Sequence, residues 1–369
     1  MKIMHVSKKY PDALGGDATV VACLEKKQIE KGHSTLILTS NCEEIKTDSH
    51  IYKYGIKDTP SGLDNISIKR ILSLAVLLFK TYKILRAEKP DIIHAHSIDM
   101  AFVVSFAARR FHIPIVHTFH IVTFNDNRQS FFRRKLEIAL LKLTKASLIT
   151  APNSYEVGAL QKAGFSNVVL LPNGINLDDW YGKDDKNNKV FTFCSIGRIE
   201  EQKGFEHLID AVKIINDNYD TSFELLIAGE GSLKDHLIEK VVSLGIESKV
   251  KFLGRMYPPS IRTLYSESNA VVIASLWETT PLTLLEAWAM KKPVASTDVG
   301  ILRDEKNDRV AIIAKNGDAN SLAGAMIKAM SNEQIVIDMA RTAYEEVSIK
   351  YTWERIAGLL DKIYTKALI

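Results

Sequence analysis

The chain has few cysteines and no long apolar run. Its 369 residues contain three cysteines, Cys23, Cys42 and Cys194, at spacings that match no metal-binding motif. An odd number of scattered cysteines argues against a disulfide framework and favours free thiols in a reducing cytosol. The longest apolar run, residues 71–79, is too short to span a bilayer. The first residues lack the layout of a signal peptide, so we expect a cytoplasmic protein, either soluble or bound peripherally to the inner face of the membrane.

Several common nucleotide-binding and nucleic-acid-binding motifs are also absent. The loop after the first predicted strand has no Gly-x-Gly-x-x-Gly fingerprint, which argues against a nicotinamide-dependent enzyme. The loop at residues 197–204 does not match the Walker pattern, so an ATPase is disfavoured. No recognised nucleic-acid motif appears, and we expect no nucleic-acid partner.

The net charge of +4 hides an asymmetry between the two halves of the chain. Residues 1–180 contain 24 Lys and Arg against 17 Asp and Glu, whereas the remainder contains 24 against 27. A basic first half indicates an anionic partner, such as a membrane lipid or a phosphorylated acceptor. Two stretches, 66–86 and 128–145, mix basic with long apolar residues, as in helices that lie on an anionic membrane surface. The alternative is a surface helix with one face in the domain core.

Short β-rich runs alternate with helical stretches along the whole chain. This alternation and the length predict two doubly wound parallel α/β domains. We place the first domain at residues 1–176 and the second at 177–352, joined by a turn-rich segment and the polar run 183–189. An amphipathic helix within 353–369 is expected to pack back on the first domain. Ligands collect at the carboxyl ends of parallel strands, so we expect the chemistry in a cleft between the domains.

Two glutamates eight residues apart, Glu278 and Glu286, follow a buried-strand pattern. Thr280 and Pro281 suit the cap and the first position of a helix, which places Glu278 just before the helix and Glu286 inside it. Free N–H groups and the positive end of the helix dipole form a site for an anion such as a phosphate. Carboxylates on both sides of that site suit a phosphorylated sugar. The alternative is a capped amphipathic helix whose glutamates face water.

Two further loops carry residues suited to phosphate. Residues 197–204 contain Arg198 and Lys203 and end at a predicted helix start, where two cations can grip a diphosphate. A solvated basic loop is the alternative. Gly15 and Gly16 follow the first predicted strand, where paired glycines let a backbone approach a diphosphate closely. A plain turn between strand and helix is the alternative there.

Four histidines lie at predicted strand ends: His94, His96, His117 and His120. Because they belong to separate strands, alternate in direction and lack a nearby carboxylate pattern, we expect no metal site. His120 lies just past its strand and is suited to contact a sugar hydroxyl. The others are expected to be hydrogen-bonded residues at strand ends.

Taken together, these motifs resemble glycosyltransferase family 4, a family of retaining enzymes with the GT-B fold. The likeness runs through nearly the whole chain, and the ordered set is far more specific than any one motif. It includes Gly15-Gly16, Pro90-Asp-Ile-Ile-His-Ala-His96, Thr118-Phe-His120, Leu171-Pro-Asn-Gly-Ile-Asn176, Gly197-Arg198, Lys203-Gly204, Ala228-Gly-Glu-Gly231 and Glu278-x7-Glu286-Ala. The resemblance implies two Rossmann-like domains facing each other across a cleft. It also favours a functional role for the glutamate pair and the basic loop.

The resemblance implies that the first domain binds the acceptor and the second a nucleotide-diphosphate sugar, with UDP and GDP both open. Transfer would need no metal and no cofactor and would retain the anomeric configuration. The implied catalytic residues are Glu278, His120, Arg198 and Lys203. The implied donor-binding residues are Gly16, Arg198, Lys203, Met256, Glu278, Thr280, Leu282, Thr283 and Glu286.

By the same resemblance, Arg198 and Lys203 would bind the diphosphate, Glu286 the ribose and Glu278 the transferred sugar. The family usually has a glycine and an aromatic residue after the first glutamate, but Thr279 and Thr280 stand there in this chain. The donor sugar therefore stays open.

The acceptor is open as well. The basic first domain favours a lipid-linked or surface-polysaccharide acceptor, and hence a role in polysaccharide biosynthesis at the membrane surface. A soluble small-molecule acceptor is one alternative. A non-catalytic protein that binds nucleotide sugars is another, and the full set of predicted donor-binding cations and carboxylates argues against it.

Overall fold

The computed structural model describes residues 1–10, 16–41, 50–54, 67–120, 124, 130–180, 190–303, 307–331 and 334–369. Gly15, Cys42 and the predicted polar run 183–189 lie outside these residues. The chain forms two compact units: Met1–Asn173 together with Trp353–Ile369, and Gly174–Thr352. Each unit is built on one parallel sheet.

The first unit begins with a strand and continues as alternating strands and helices. Its elements are β1 (Lys2–Lys9), α1 (Gly16–Glu30), β2 (Ser34–Asn41), β3 (Ile51–Lys53), α2 (Ile68–Glu88), β4 (Ile92–Ala95), α3 (Ile98–Phe111), β5 (Ile115–Thr118), α4 (Phe131–Thr144), β6 (Leu148–Ala151), α5 (Ser154–Lys162) and β7 (Val168–Leu170).

The second unit repeats the alternation. Its elements are β8 (Phe191–Ile196), α6 (Phe205–Asn218), β9 (Phe223–Ala228), α7 (Lys234–Ser243), β10 (Val250–Gly254), α8 (Pro258–Glu267), β11 (Ala270–Ile273), α9 (Leu282–Ala289), β12 (Val294–Thr297), β13 (Ile312–Ala314), α10 (Ala319–Met330) and α11 (Gln334–Lys350). The last helix, α12 (Trp353–Leu368), belongs to the first unit.

Local chemistry accounts for the sharp helix ends. The hydroxyl of Ser67 accepts a hydrogen bond from the Arg70 N–H at the start of α2, which satisfies one of the helix's free donors. Lys89 ends the same helix in the left-handed conformation, with its N–H on the carbonyl of Leu85. Strands such as β4 and β11 are buried on both faces, with every residue buried, which is why they read as nearly continuous apolar runs rather than alternating ones.

Both sheets reverse their strand order once. The first has the order β3-β2-β1-β4-β5-β6-β7 and the second β10-β9-β8-β11-β12-β13, and all paired strands are parallel. Successive strands therefore run outward from a central pair, β1/β4 in one unit and β8/β11 in the other. This confirms the prediction of two doubly wound sheets, and such reversal points are where ligands bind in this architecture.

The apolar face of the amphipathic helix α12 packs against the rest of the first unit. Trp353, Ile356, Leu360 and Ile363 are buried in one cluster with residues of β1 and α1. Burial of these side chains holds the end of the chain to a unit that begins some 350 residues earlier. No helix among the described residues is both long and apolar enough to cross a bilayer.

Close backbone packing in the second unit gives a test of the fold. Gly229 lies just after β9 with φ +151°, and a Cβ there would lie 1.8 Å from the carbonyl oxygen of Gly197. We expect Gly229→Ala to lower the free energy of unfolding by at least about 2 kcal/mol, because both strain and overlap oppose it. Urea unfolding measures this. The control, Gly324→Ala at an exposed position of α10, has open space at its Cβ and should raise stability by about 0.5–1 kcal/mol. A Gly229→Ala protein as stable as the wild type would contradict this packing.

Candidate functional site

The loops after β8 and β11 leave the second sheet at its reversal point. Because β8 and β11 are neighbours, their carboxyl ends bring the segment 197–204 beside the segment 275–281. The first segment ends in a short 3₁₀ turn, Glu201–Lys203. The second leads into α9. The two motifs that the sequence singled out therefore meet at one edge of one sheet.

Backbone hydrogen bonds fasten the two loops together. The Leu276 N–H donates to the Gln202 carbonyl at 2.8 Å, and the Gln202 side-chain amide donates to the Trp277 carbonyl at 3.1 Å. Gly204 follows with φ +62°, and a Cβ there would lie 2.1 Å from the Ala274 carbonyl oxygen. Only glycine fits so close an approach in this conformation. Gln202 had no predicted role.

Lys203 and Glu278 form an ion pair at the centre of this junction. The Lys203 ammonium donates to the Glu278 carboxylate at 2.5 Å, and the Ser275 hydroxyl donates to the same oxygen at 3.1 Å. The two charged side chains are only 18% and 11% exposed, so neither glutamate nor lysine faces open water. The lysine stem runs along Gly197, where a Cβ would lie 3.2 Å from Lys203 Cε.

Glu286 lies on α9 and is held by a residue that the sequence did not single out. The buried Tyr265 hydroxyl, on α8, donates to the Glu286 carboxylate at 2.8 Å. Burial raises the pKa of Glu286 to about 7, while the Tyr265 hydrogen bond and the nearby positive charge of Lys203 act in the opposite direction. The alternative of two water-facing glutamates is therefore wrong for both positions.

The start of α9 differs by one residue from the prediction. The helix begins at Leu282, with extended Pro281 at the cap position and no side-chain cap bond, rather than with Thr280 as cap and Pro281 as first residue. Thr280 is buried, and Gly300 approaches the Thr279 carbonyl so closely that a Cβ there would lie 2.4 Å from the oxygen. The loop therefore packs against the segment that follows β12, and the first helical N–H groups belong to Leu282 and Thr283, which have no intrahelical acceptors.

The other predicted residues of the second unit lie around this junction. Arg198 is exposed, and among the residues that the structure describes its guanidinium makes no ion pair or hydrogen bond. Neighbouring Glu200 instead accepts from the backbone and hydroxyl of Ser232 after β9. Met256, between β10 and α8, is half-buried against the core of this unit.

In the first unit, Gly16 begins α1, and His120 lies two residues past β5. The four histidines do lie on or just past two separate strands, β4 and β5, but strand pairing brings His94 and His96 beside a histidine that the sequence did not single out. His5 on β1 is the register partner of His94 on β4, and ring nitrogens of His5, His94 and His96 lie within 4.8 Å of one another. Parallel neighbours place equivalent positions side by side, which separation along the chain did not reveal. The same ring nitrogens already have hydrogen-bond partners within this unit.

Family models match both halves of the chain. Residues 178–346 match the family described as Glycosyl transferases group 1. Residues 14–179 match the family described as Glycosyltransferase Family 4. The two matches together span nearly the whole chain. The chain therefore belongs to the group 1 glycosyltransferases and is a transferase with the GT-B fold.

Individual relatives are distant but extend over most of the chain. An uncharacterized glycosyltransferase of Methanocaldococcus jannaschii is 27% identical, with 100% of this chain and 99% of the relative covered. The UDP-Gal:α-D-GlcNAc-diphosphoundecaprenol α-1,3-galactosyltransferase of Escherichia coli is 26% identical over 78% of each chain. The solved structure of sucrose-phosphate synthase from Thermosynechococcus elongatus has a TM-score of 0.85 at 20% identity, covering 99% of this chain and 98% of its own.

The raised pKa of Glu286 predicts a pH-dependent stability. The ordinary value is 4.5 and the folded value is about 7, so the folded state binds this proton more tightly. The stabilising contribution is complete below about pH 4.5 and is lost as the pH rises through about 7. Urea unfolding measures the free energy of unfolding at about pH 5 and about pH 8. From the lower to the higher pH, that of the wild type should fall relative to that of Glu286→Gln. Tyr265→Phe, which removes a pKa-lowering hydrogen bond, should move this window to higher pH. A wild-type-minus-variant difference that is constant with pH would contradict the assignment.

Proposed function

We propose that the protein is a retaining glycosyltransferase that moves a sugar from a nucleotide-diphosphate donor to a lipid-linked or surface-polysaccharide acceptor. The second unit would bind the donor and the first the acceptor. The observation that carries the proposal is the Lys203–Glu278 pair at the sheet reversal point, directly before α9. An Escherichia coli relative is named for a UDP-sugar donor and a diphosphoundecaprenol-linked acceptor, which favours a UDP-sugar over a GDP-sugar and a lipid-linked over a soluble acceptor.

In this proposal Lys203 and Glu278 bind different parts of the sugar donor. An ammonium has three donors, so Lys203 can bind a donor phosphate while it keeps or loosens its contact with Glu278. The exposed Arg198 guanidinium supplies a planar fork for the same diphosphate. Glu278, released in part from Lys203, accepts hydrogen bonds from hydroxyls of the transferred sugar. Glu286, with Tyr265 orienting its carboxylate, accepts from the ribose hydroxyls.

The chemical contribution of these residues is to stabilise charge on the leaving phosphate. As the bond between the sugar and the phosphate breaks, negative charge grows on the diphosphate. Lys203, Arg198, the N–H group of Thr280 before α9 and the N–H groups of Leu282 and Thr283 at its start are fixed donors for it. The leaving phosphate oxygen can take the proton of the acceptor hydroxyl on the same face, which retains the anomeric configuration. These groups suffice in the proposal without a metal or cofactor.

Three further residues complete the proposed donor site. Met256, half-buried beside the end of β10, would lie near the base. Gly16 at the start of α1 would approach the diphosphate, and His120 would lie beside the transferred sugar. These assignments follow the family resemblance.

The Lys203–Glu278 pair gives the direct test of the donor site. We expect Glu278→Gln and Lys203→Met each to lower kcat/KM for sugar transfer or donor hydrolysis by about 100-fold or more, since each removes a charged group at the reacting centre. The double variant should lose less than the product of the two single losses, because the residues act as a unit. The controls are Lys213→Met and Asp217→Asn, which break an exposed ion pair on α6. Full activity in both site variants would refute the site.

The lipid part of the proposal rests on α4. Phe131 and Phe132 are 68% and 72% exposed at the start of this helix, and Arg133, Arg134 and Lys135 follow them. Exposed aromatic residues beside cations are typical of helices that bind an anionic membrane surface. The α2 stretch also exposes Ile68 and Phe79. Arg70 does not contribute to that surface, because it is buried in an ion pair with Asp99.

Vesicle flotation tests this surface. We expect the wild type to float with vesicles that contain anionic phospholipid at low salt and to bind less at high salt, because salt screens the cations. Phe131→Ser/Phe132→Ser should bind at least about tenfold more weakly, since two rings lose their burial in the membrane. Ile335→Ser/Ile337→Ser, which alters exposed apolar residues of α11, is the matched control. Absence of binding at both salt concentrations would favour the soluble acceptor.

A further inference from the structure

A continuous chain of hydrogen-bonded side chains runs through the first unit from His120. His120 Nε2 lies 3.3 Å from His96 Nδ1, His96 Nε2 lies 3.0 Å from His5 Nδ1, and His5 Nε2 lies 2.7 Å from Gln28 Oε1. The three imidazole rings are nearly parallel, with interplanar angles of 19° and 21° between successive rings. His120 and His96 lie just past β5 and β4, His5 lies on β1 and Gln28 on α1, so these hydrogen bonds cross the sheet reversal point of this unit.

The same chain continues beyond Gln28 to the last helix and back into the sheet. The Gln28 amide donates to the Tyr364 hydroxyl at 3.0 Å, and this hydroxyl lies 2.7 Å from His94 Nδ1. His94 Nε2 lies 2.6 Å from Thr118 Oγ1, which lies 2.6 Å from Thr150 Oγ1. Helix α12 therefore does more than cover apolar surface, because Tyr364 joins two branches of a polar network.

Burial limits how many protons the histidines of this chain carry. His5, His94 and His96 are all buried, and desolvation, as the largest cause, lowers the pKa of each below its usual value. The rings are therefore neutral near pH 7, and a neutral imidazole has one N–H donor and one acceptor nitrogen. Each ring can donate to only one neighbour and must accept from the other.

This limit fixes which atom donates and which accepts in each hydrogen bond between Gln28 and His120. Because the Gln28 amide nitrogen donates to Tyr364, its oxygen faces His5 and accepts from His5 Nε2–H. His5 Nδ1 must then accept from His96 Nε2–H, and His96 Nδ1 must accept from His120 Nε2–H. In neutral His120 the remaining nitrogen, Nδ1, is an acceptor.

We propose that His96, His5 and Gln28 are positioning residues for His120, holding its ring with Nε2–H toward His96 so that Nδ1 accepts a hydrogen bond from substrate. The inference rests on the proposed function, in which His120 lies beside the transferred sugar. A ring fixed in this way accepts from a sugar hydroxyl without first reorienting. Such preorganisation contributes to the rate of transfer because the orientation of the His120 ring is set before the reaction.

A metal ion is the competing use of the same residues. The cluster His5, His94 and His96 is compact enough to hold one, but a metal would occupy the lone pairs that accept hydrogen bonds within the chain. The two uses exclude each other, and Zn²⁺ titration of the purified protein therefore belongs in the test.

Two substitutions at His96 distinguish its hydrogen bond with His120 from its hydrogen bond with His5. An Asn side chain places its polar end near the Nδ1 position and can still accept from His120, whereas a Gln side chain reaches the Nε2 position and can still donate to His5. His96→Asn should therefore keep the link to His120, and His96→Gln should lose it. His117→Asn is the matched control, because His117 is equally buried but bonds the Ala95 carbonyl outside the chain.

The first readout is NMR of ¹⁵N-histidine-labelled protein, with the His120 signal assigned by its loss in His120→Asn. We expect a slowly exchanging N–H on Nε2 of His120, His96 and His5. The His120 N–H should disappear in His96→Gln and persist in His96→Asn and His117→Asn. A His120 signal that is unchanged in His96→Gln, an N–H on His96 Nδ1, or ring shifts on addition of Zn²⁺ alone would each overturn the proposal.

The second readout is kinetic. His96→Gln should lower kcat by about 10- to 100-fold with a smaller change in the donor KM, because His120 loses its orientation. His96→Asn should recover most of that loss, and His117→Asn should behave as the wild type does. Equal losses in both His96 variants would indicate a structural role alone and would overturn the proposal. The NMR readout needs no activity, so absence of sugar transfer by the wild type would refute the proposed function separately.

Discussion

The half-buried ion pair between Lys203 and Glu278 is the interaction on which the candidate site depends. Removing either partner would leave an unpaired charge in a poorly solvated junction. Such an unpaired charge destabilises the folded state far more than the intact pair does. The two loops that carry it are also fastened through Gln202 and packed through Gly204. The cation and the carboxylate are therefore held in place before any ligand arrives, because both backbone contacts and the Gln202 side chain specify the local geometry.

Both units place polar side chains at their sheet reversal points, but these side chains differ in charge and in how they are paired. The second unit places charged groups there: Lys203 with Glu278, and near them Glu286, whose burial raises its pKa toward neutrality. The first unit places neutral, buried imidazoles there and satisfies them through Gln28 and Tyr364. A buried polar group without a partner costs free energy, so the histidines are supported by an uninterrupted series of donors and acceptors.

Much of the fold was predictable because strand-helix alternation is a local signal. The ends of α2 show how local these signals are, since Ser67 and Lys89 mark them by their own chemistry. The start of α9 was misplaced by one residue because Pro281 fits both the cap and the first turn. Tyr265 and Gln202 were not identified, because each acts through a contact with a residue distant in sequence, although Gln202 lies within the basic loop 197–204.

The sequence by itself determined two doubly wound sheets, the two loops that carry Lys203 and Glu278, and membership of a glycosyltransferase family. These features follow from periodicity and from short ordered motifs, which neighbouring residues specify. Only the tertiary structure decided that Lys203 and Glu278 pair, that Tyr265 holds Glu286, and that His5 joins His94 and His96. The physical reason is tertiary packing: strand register brings together residues separated by tens of positions, helix packing does the same for Tyr265 and Glu286, and no local pattern records which positions will meet.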